Sequence, residues 1–274
     1  MIADVSVVIP TFRRPKQLRE AIASALTQRG AEVEVIVIDD SPEGSAESVV
    51  LAAGDPRVVC LRNPSPSGGI PSAVRNLGWP RASAAFVHFL DDDDVVPDGH
   101  YADALAAFAA RPDVGLVFGR VEPFGEGPVD QLERERRYFA DGARKAAISG
   151  RFGARAAFCA RMLFDDALLV CSASMIRREG LARLGGFDPA IRLMEDADYH
   201  LRAMRELGAL FLDRTAVRYR IGYPSLMHSP DPSDAQRSEE LQGRRQMQTK
   251  YKHDRGAIEF YALALFARTA LKWL

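Results

Sequence analysis

The chain opens by alternating two textures. Val5-Ser6-Val7-Val8-Ile9 is a short β-branched run stopped by Pro10, the pattern of a strand buried on both faces of a parallel sheet. Leu18, Ala21, Ile22, Ala25 and Leu26 follow at spacings of three and four, which places one apolar stripe along a helix. Pro15 suits the first turn of that helix and Gly30 its end. The strand texture returns at 33–38 and is stopped by Asp39-Asp40-Ser41-Pro42. The pattern then predicts a helix over 45–53, a strand over 58–61, a helix opening near Pro71 and a strand over 85–90. A helix over 99–110 capped by Asp98 and a strand over 114–118 continue it. Such alternation predicts a parallel, doubly wound α/β sheet, and ligands of these sheets bind beyond the carboxyl ends of the strands. Thr11-Phe12-Arg13, Asp39-Asp40 and Asp91 to Asp94 all fall just past strand ends, so one crevice is expected to collect them.

From Glu122 to about Asp166 neither period holds. The stretch is rich in Gly and Arg, with a charged run over 133–137, and reads as an irregular insertion or flap. Strand texture resumes over 168–175, Gly185-Gly186-Phe187-Asp188-Pro189 reads as a turn, and 194–207 reads as a helix with Glu195-Asp196 at its start. Residues 258–274 form a last helical pattern, apolar nearly all round except for Glu259, Arg268 and Lys272. Three uses of it remain open: packing on the rest of the chain, a homodimer contact, or peripheral membrane contact, which Arg268 and Lys272 beside Trp273 would suit.

Composition narrows the class. With 274 residues, 47% of them hydrophobic, the chain can bury one large core. A formal net charge of -1 lacks the basic excess that a general nucleic-acid binder usually shows, and none is expected. Cys60, Cys159 and Cys171 form no close pair, which argues for reduced thiols over a disulfide framework or zinc site. No apolar run approaches the roughly 18–20 residues that span a bilayer, and the first ten residues carry no basic leader. A cytoplasmic protein is expected.

Four consecutive carboxylates at Asp91 to Asp94 repel one another wherever they are partly buried. A divalent cation relieves that repulsion, and hard oxygen ligands suit Mg²⁺ or Mn²⁺, which complete their shells with phosphate oxygens and water. A solvated acidic loop is the competing reading, disfavoured by the apolar run 86–90 directly before it. Asp39 and Asp40 suit hydrogen bonds to a base or ribose, or simply a turn. Arg75-Asn76 sits in the helix after Gly68-Gly69, whose backbone permits close approach to a phosphate or base; a surface arginine is the alternative. Glu195-Asp196 gains from the helix dipole, and equally suits a general base that takes the proton from an attacking hydroxyl.

Together these segments resemble family 2 glycosyltransferases. The residues that carry the resemblance are 5–14 and 35–41, Ala73-Val74-Arg75-Asn76-Leu77-Gly78, Phe89-Leu90-Asp91-Asp92-Asp93-Asp94, Gly185-Gly186-Phe187-Asp188 and Glu195-Asp196, in the family's order over about residues 4–221. The resemblance implies a GT-A fold, a Rossmann-like, mostly parallel sheet flanked by helices. It implies an inverting enzyme that uses a UDP-, dTDP- or GDP-sugar, Mn²⁺ or Mg²⁺, and a glycan or lipid-linked acceptor in polysaccharide, glycolipid or glycoconjugate synthesis. Carried over by position, Pro10, Thr11, Phe12, Arg13, Asp40, Arg75, Asp91 and Asp92 would bind the nucleotide. Asp91 and Asp93 would be the ends of the DxD motif, with Asp93 the principal metal ligand and His228 near the diphosphate or metal. Asp196 would be the base, with Glu195 beside it. Residues 1–221 would be the catalytic domain, divided into a nucleotide-sugar half (1–120) and an acceptor half (121–221) that holds the 122–166 insertion; 222–274 would be an extension. The Gln-x-x-Arg-Trp motif of processive members is absent, which implies non-processive transfer. A nucleotidyltransferase of the same superfold would carry a Gly-x-Gly-x-x-Arg loop after the first strand, which this chain lacks. A metal-dependent phosphatase would leave Glu195-Asp196 unexplained, and a non-catalytic carbohydrate-binding domain would have no use for two separate carboxylate sites.

Overall fold

A computed structural model of the chain describes residues 3–151, 154–165, 168–222 and 234–271. The first half follows the hydrophobic pattern closely. Strand β1 (Val5–Thr11) leads to helix α1 (Pro15–Leu26), β2 (Val33–Asp39), α2 (Glu47–Ala53), β3 (Val58–Arg62), α3 (Pro71–Gly78) and β4 (Phe86–Phe89). Val5, Val7, Val8 and Ile9 are fully buried, because helices cover both faces of the parallel strands. Helix α4 (His100–Ala110) comes next, capped by Gly99 in a left-handed conformation. The expected cap, Asp98, is instead an exposed residue 3.9 Å from Arg29.

The second half departs further from its sequence pattern. Strand β5 (Leu116–Gly125) outruns its predicted end, and the stretch expected to be irregular holds two helices, α5 (Val129–Arg151) and α6 (Ala154–Phe164). The reason is visible on α5: its buried positions are Gln131, Phe139, Ala146 and Ser149, so polar and small residues conceal the helical period. The expected strand over 168–175 is irregular to Val170, then a 3₁₀ turn at Cys171–Ala173, and only its last two residues open strand β6 (Ser174–Arg177). Helices α7 (Arg178–Leu184) and α8 (Glu195–Leu207) precede β7 (Ala209–Ile221), a strand that the hydrophobic pattern does not announce. β7 is a half-exposed edge strand, and its register against β5 breaks around Arg120.

Among the described residues seven strands form one sheet in the order β3-β2-β1-β4-β6-β5-β7. β1 to β4 are parallel, while β6 runs antiparallel between β4 and β5. The chain moves from β1 outward to β2 and β3, then returns to place β4 on the other side of β1. That reversal opens a crevice at the carboxyl ends of β1 and β4. Register completes the arrangement: Thr11 lies opposite Asp39, and Val8 opposite Phe89, so the polar clusters end level on one rim.

Helices α9 (Asp234–Arg255) and α10 (Ala257–Arg268) close the chain. They pack back on the rest of it: Gln248 Nε2 donates to the Leu163 carbonyl at 2.7 Å, and Arg205 on α8 pairs with Glu259 at 2.6 Å. α10 buries Leu263 and leaves Ile258, Tyr261 and Leu265 exposed on one side. Among the described residues no helix is long and apolar enough to cross a membrane.

Gly78 sets how closely α3 approaches the sheet, since a Cβ there would stand 2.5 Å from Val8 Cγ1 and 3.0 Å from Ile38 Cγ1. Gly78→Ala is therefore expected to lower stability by about 1–3 kcal/mol through overpacking, although helix propensity alone favours alanine. Urea denaturation checks the sign, and a stabilised variant would refute this packing.

Candidate functional site

The crevice is a cleft of about 550 Å³ lined by Pro10, Thr11, Phe12, Asp40, Arg75, Asp91, Asp92, Asp93, Glu195 and Asp196. Arg13 does not line it. Its exposed guanidinium pairs with Glu43 at 2.8 Å, and its neighbour Arg14 faces the cleft in its place. The residue expected near the diphosphate or metal, His228, lies outside the described residues.

One end of the cleft is built by two aspartates with different tasks. Asp39 takes the turn reading: it accepts from the Ser41 amide and hydroxyl at 2.9 and 2.6 Å and from the Ala46 amide at 2.7 Å. Asp40 organises the loop after β3, accepting from Asn63 Nδ2 at 2.6 Å, the Ser67 amide and hydroxyl at 2.9 and 2.7 Å, and the Gly69 amide at 2.6 Å. Burial alone would raise its pKa, but these donors hold it below the ordinary aspartate value. The loop so held carries Gly68 and Gly69 at φ of +79° and +87° and brings Gly69 beside the Phe12 ring. Phe12 and this backbone thus make a narrow slot between the ends of β1 and β2.

The middle of the cleft is crowded with carboxylates. Asp92 accepts from Thr11 Oγ1 at 2.6 Å and pairs with Arg14 at 3.2 Å. Asp93 pairs with the same Arg14 nitrogen at 2.6 Å. Burial, reinforced by neighbouring Asp93, still pushes Asp92 up to about 7, and burial raises Asp93 despite Arg14. Asp94 turns away from the cleft. Its Oδ1 accepts from the Arg220 amide at 3.0 Å, which ties the loop to β7, while its buried Oδ2 has no hydrogen-bond partner among the described residues. Asp91 is placed from behind, its amide donating to Ser172 Oγ at 3.0 Å. Buried His88 accompanies this contact, with Nε2 2.9 Å from the Ser172 carbonyl oxygen and Nδ1 2.8 Å from Tyr101 Oη; burial lowers its pKa to about 4.

Arg75 lies beneath these groups, nearly inaccessible to solvent. Its Nη2 donates to Asp91 at 2.6 Å and its Nη1 to Glu195 at 2.9 Å, so both terminal nitrogens serve the protein itself. Its guanidinium stands 5.2 Å from the Phe187 ring centre. Asn76, one residue on, holds Phe187 through both backbone groups, at 2.8 Å to the carbonyl and 2.9 Å from the amide. Gly186, at φ +80°, leaves room for this, since a Cβ there would lie 2.9 Å from Trp79 Nε1. The Arg75-Asn76 and Gly186-Phe187 segments are therefore one docking device that carries α8 to the cleft.

The Glu195-Asp196 pair is divided by that device. Glu195 is bound to Arg75, whereas Asp196 is partly exposed to the cleft and accepts only from the Ala197 amide, at 2.8 Å. Among the described residues Asp196 makes no salt bridge, although the positive charge of Arg75 is close enough to favour its ionised form. Burial raises both carboxyl groups, Glu195 to about 7, because one guanidinium cannot balance Asp91, Glu195 and Asp196 together.

Several cleft residues were not singled out from the sequence. Nor was Ser172, which lies behind the cleft under Asp91, in a turn read as a strand. Tyr138 and Phe139 come from α5, Tyr219 from β7, and Glu240 and Arg244 from α9. The one sequence trace of α9 is the spacing of Gly243, Met247 and Tyr251, its buried positions, four residues apart in an otherwise polar segment. Among the described residues no three His, Cys, Asp or Glu side chains converge as a preformed metal cage. Oxygen-only ligation by one or two carboxylates plus phosphate needs no cage. The surplus negative charge around Asp91 and Asp93 fits a hard cation.

The sequence profile described as "Glycosyl transferase family 2" matches residues 6–181. The chain is 33% identical over 158 residues to a Campylobacter jejuni protein named GalNAc(5)-diNAcBac-PP-undecaprenol beta-1,3-glucosyltransferase, covering 54% of this chain and 50% of that one. It is 37% identical over 125 residues to the succinoglycan biosynthesis protein ExoO of Rhizobium meliloti, covering 42% and 34%. The chain thus spans half or less of these relatives. Among solved structures, mannosyltransferase PcManGT from Pyrobaculum calidifontis, in complex with GDP-Man and Mn²⁺, superimposes with a TM-score of 0.65 at 20% identity, covering 100% of this chain and 72% of that one. Staphylococcus aureus TarS 1–349 in complex with UDP-GlcNAc gives 0.62 at 17% identity, covering 91% and 66%. These likenesses establish the fold as GT-A.

The raised pKa of Glu195 has a signed consequence. Its folded value, about 7, exceeds the ordinary 4.5, so the native state binds more protons than the unfolded chain between those pH values. Stability should fall as pH rises through that window. Glu195→Gln removes one titrating group, and urea denaturation at pH 5, 6, 7 and 8 should show a shallower fall than in the parent. An identical pH profile would count against this buried setting.

Proposed function

The chain belongs to glycosyl transferase family 2, and from that membership we propose that it moves a sugar from a nucleotide-diphosphate donor to a hydroxyl acceptor, with inversion at the anomeric carbon. One observation carries the reading: Asp196 is presented to the cleft with no salt bridge among the described residues, while adjacent Glu195 is tied to Arg75. A paired carboxylate is a poor proton acceptor, and an unpaired one with a raised pKa suits general-base work near neutral pH.

The slot of Pro10, Thr11, Phe12 and the Asp40-held loop takes the nucleoside, whose base lies beside the Phe12 ring. Arg14, at the rim near Asp92 and Asp93, faces the diphosphate. Asp91 and Asp93 are the residues that would hold a divalent cation, which as a Lewis acid would stabilise the departing diphosphate. Asp196 accepts the proton of the acceptor hydroxyl as its oxygen bonds to the anomeric carbon. The bond from that carbon to the diphosphate oxygen breaks on the opposite face. Arg75 contributes from beneath, holding Asp91 and Glu195 at a fixed separation. The neighbours' ligands, UDP-GlcNAc and GDP-Man, make those nucleotides the first donors to test, and the name of the Campylobacter relative supports a glycan or lipid-linked acceptor.

A thermal-shift screen of UDP-, GDP- and dTDP-sugars with Mn²⁺ should single out the donor, because a ligand that binds only the folded state raises apparent stability. Asp93→Ala should abolish cation-dependent binding of the matching nucleoside diphosphate, and unchanged calorimetric affinity in Mn²⁺ would remove Asp93 from its role. Asp196→Asn should retain donor binding while losing transfer; normal turnover would send the base assignment to Glu195.

A further inference from the structure

The aim of Glu195 and Asp196 depends on the residue before them. Met194 caps α8 in a left-handed conformation, at φ +70°, and Arg13 is the one other non-glycine residue with positive φ among those described. An L side chain adopts that conformation only at a cost, and it persists where the surroundings over-determine it. Met194 is buried, and the element that surrounds its turn is α9.

Gly243 of α9 lies directly against the turn. A Cβ on residue 243 would be driven into the Leu193 carbonyl oxygen and would lie 3.1 Å from that carbonyl carbon and 3.3 Å from Met194 Cβ. Glycine is a poor helix former, so its place inside a 22-residue helix calls for a packing reason, and this contact supplies one. Met247 and Tyr251 continue the same buried face. Lys250 adds two ion pairs, to Asp188 at 2.5 Å and to Asp198 at 3.2 Å, which hold the chain on both sides of Met194. All of these α9 residues lie beyond residues 6–181, the part matched by the family profile.

We propose that α9 is a positioning element of the catalytic site, in which Gly243, seated on the Leu193 carbonyl, holds the left-handed turn at Met194 that directs Glu195 to Arg75 and Asp196 into the cleft. Gly243 acts through that turn and touches no reacting group. The proposal rests on the reading of Asp196 as the base, so its test has one arm that needs no substrate.

Hydrogen exchange is that arm. Gly243→Ala should speed exchange of amides 193–198 at least tenfold while β1, β2 and β4 keep their protection, even though alanine is the better helix former. Met194→Gly removes the side-chain cost of the left-handed conformation, so in that background Gly243→Ala should speed the same amides less than it does in the parent. The double variant should exchange no faster than the faster single, because both substitutions act on one turn. Unchanged exchange at 193–198 in Gly243→Ala, or a rise spread evenly over the sheet, overturns the proposal. The second arm follows nucleoside diphosphate release from UDP-GlcNAc and GDP-mannose with Mn²⁺, where Gly243→Ala should lower kcat at least tenfold at unchanged KM. A raised KM with normal kcat also overturns the proposal. Release of neither UDP nor GDP by the parent protein counts against those donors, and the exchange arm then decides the positioning role alone.

Discussion

The buried guanidinium of Arg75, bonded at once to Asp91 and Glu195, joins parts of the chain that are otherwise independent. Asp91 belongs to the loop after β4 and Glu195 to the first turn of α8, so this cation holds the two working edges of the cleft at a set separation. Removing one partner from a buried pair costs about 3–5 kcal/mol in proteins generally, because the remaining charge is left uncompensated. The cluster is also unbalanced. Asp91, Glu195 and Asp196 share one cation, and Asp92 and Asp93 share Arg14. Such a surplus is tolerable only where protons are retained or a positive ligand arrives.

Sheet topology supplies the space for this arrangement. β1 and β4 are neighbours whose outgoing connections diverge, and the gap between them receives Thr11, Asp91 and Asp92 at one level. The antiparallel β6 then brings Ser172, in the turn ahead of it, under Asp91. Neither the crevice nor the support beneath it needs a special residue in the strands themselves. What matters is register, since a shift of one residue would move every strand-end side chain to the other face.

The legible part of the molecule was the first 118 residues and the ordered motifs after them. Buried parallel strands announce themselves because both faces must be apolar, as Val5 to Ile9 show. β7 did not, since an edge strand with one face open to solvent and a disrupted register needs no such run. α5 was hidden because Gln131 and Ser149 occupy buried positions, and α9 because its contact face includes a glycine. The candidate site was legible in its carboxylates, while the partners that divide their labour were not. No local signal distinguishes Arg14 from Arg13, or tells that Arg75 serves Asp91 and Glu195 with both of its terminal nitrogens.

The aspartate run after an apolar strand, the acidic pair at a helix start and the alternation of strand and helix are local properties of the sequence, and by themselves they determined the fold class and the carboxylates at 91–93 and 195–196 that line the cleft. Tertiary structure decided which carboxylate is bound to arginine and which faces the cleft. Glu195 and Asp196 are adjacent acids at the head of one helix, with similar intrinsic chemistry. The left-handed turn at Met194 sends one to a buried arginine and the other to the cleft. That choice depends on a backbone conformation set by packing from a distant helix, and long-range packing leaves no periodic trace in the residues it constrains.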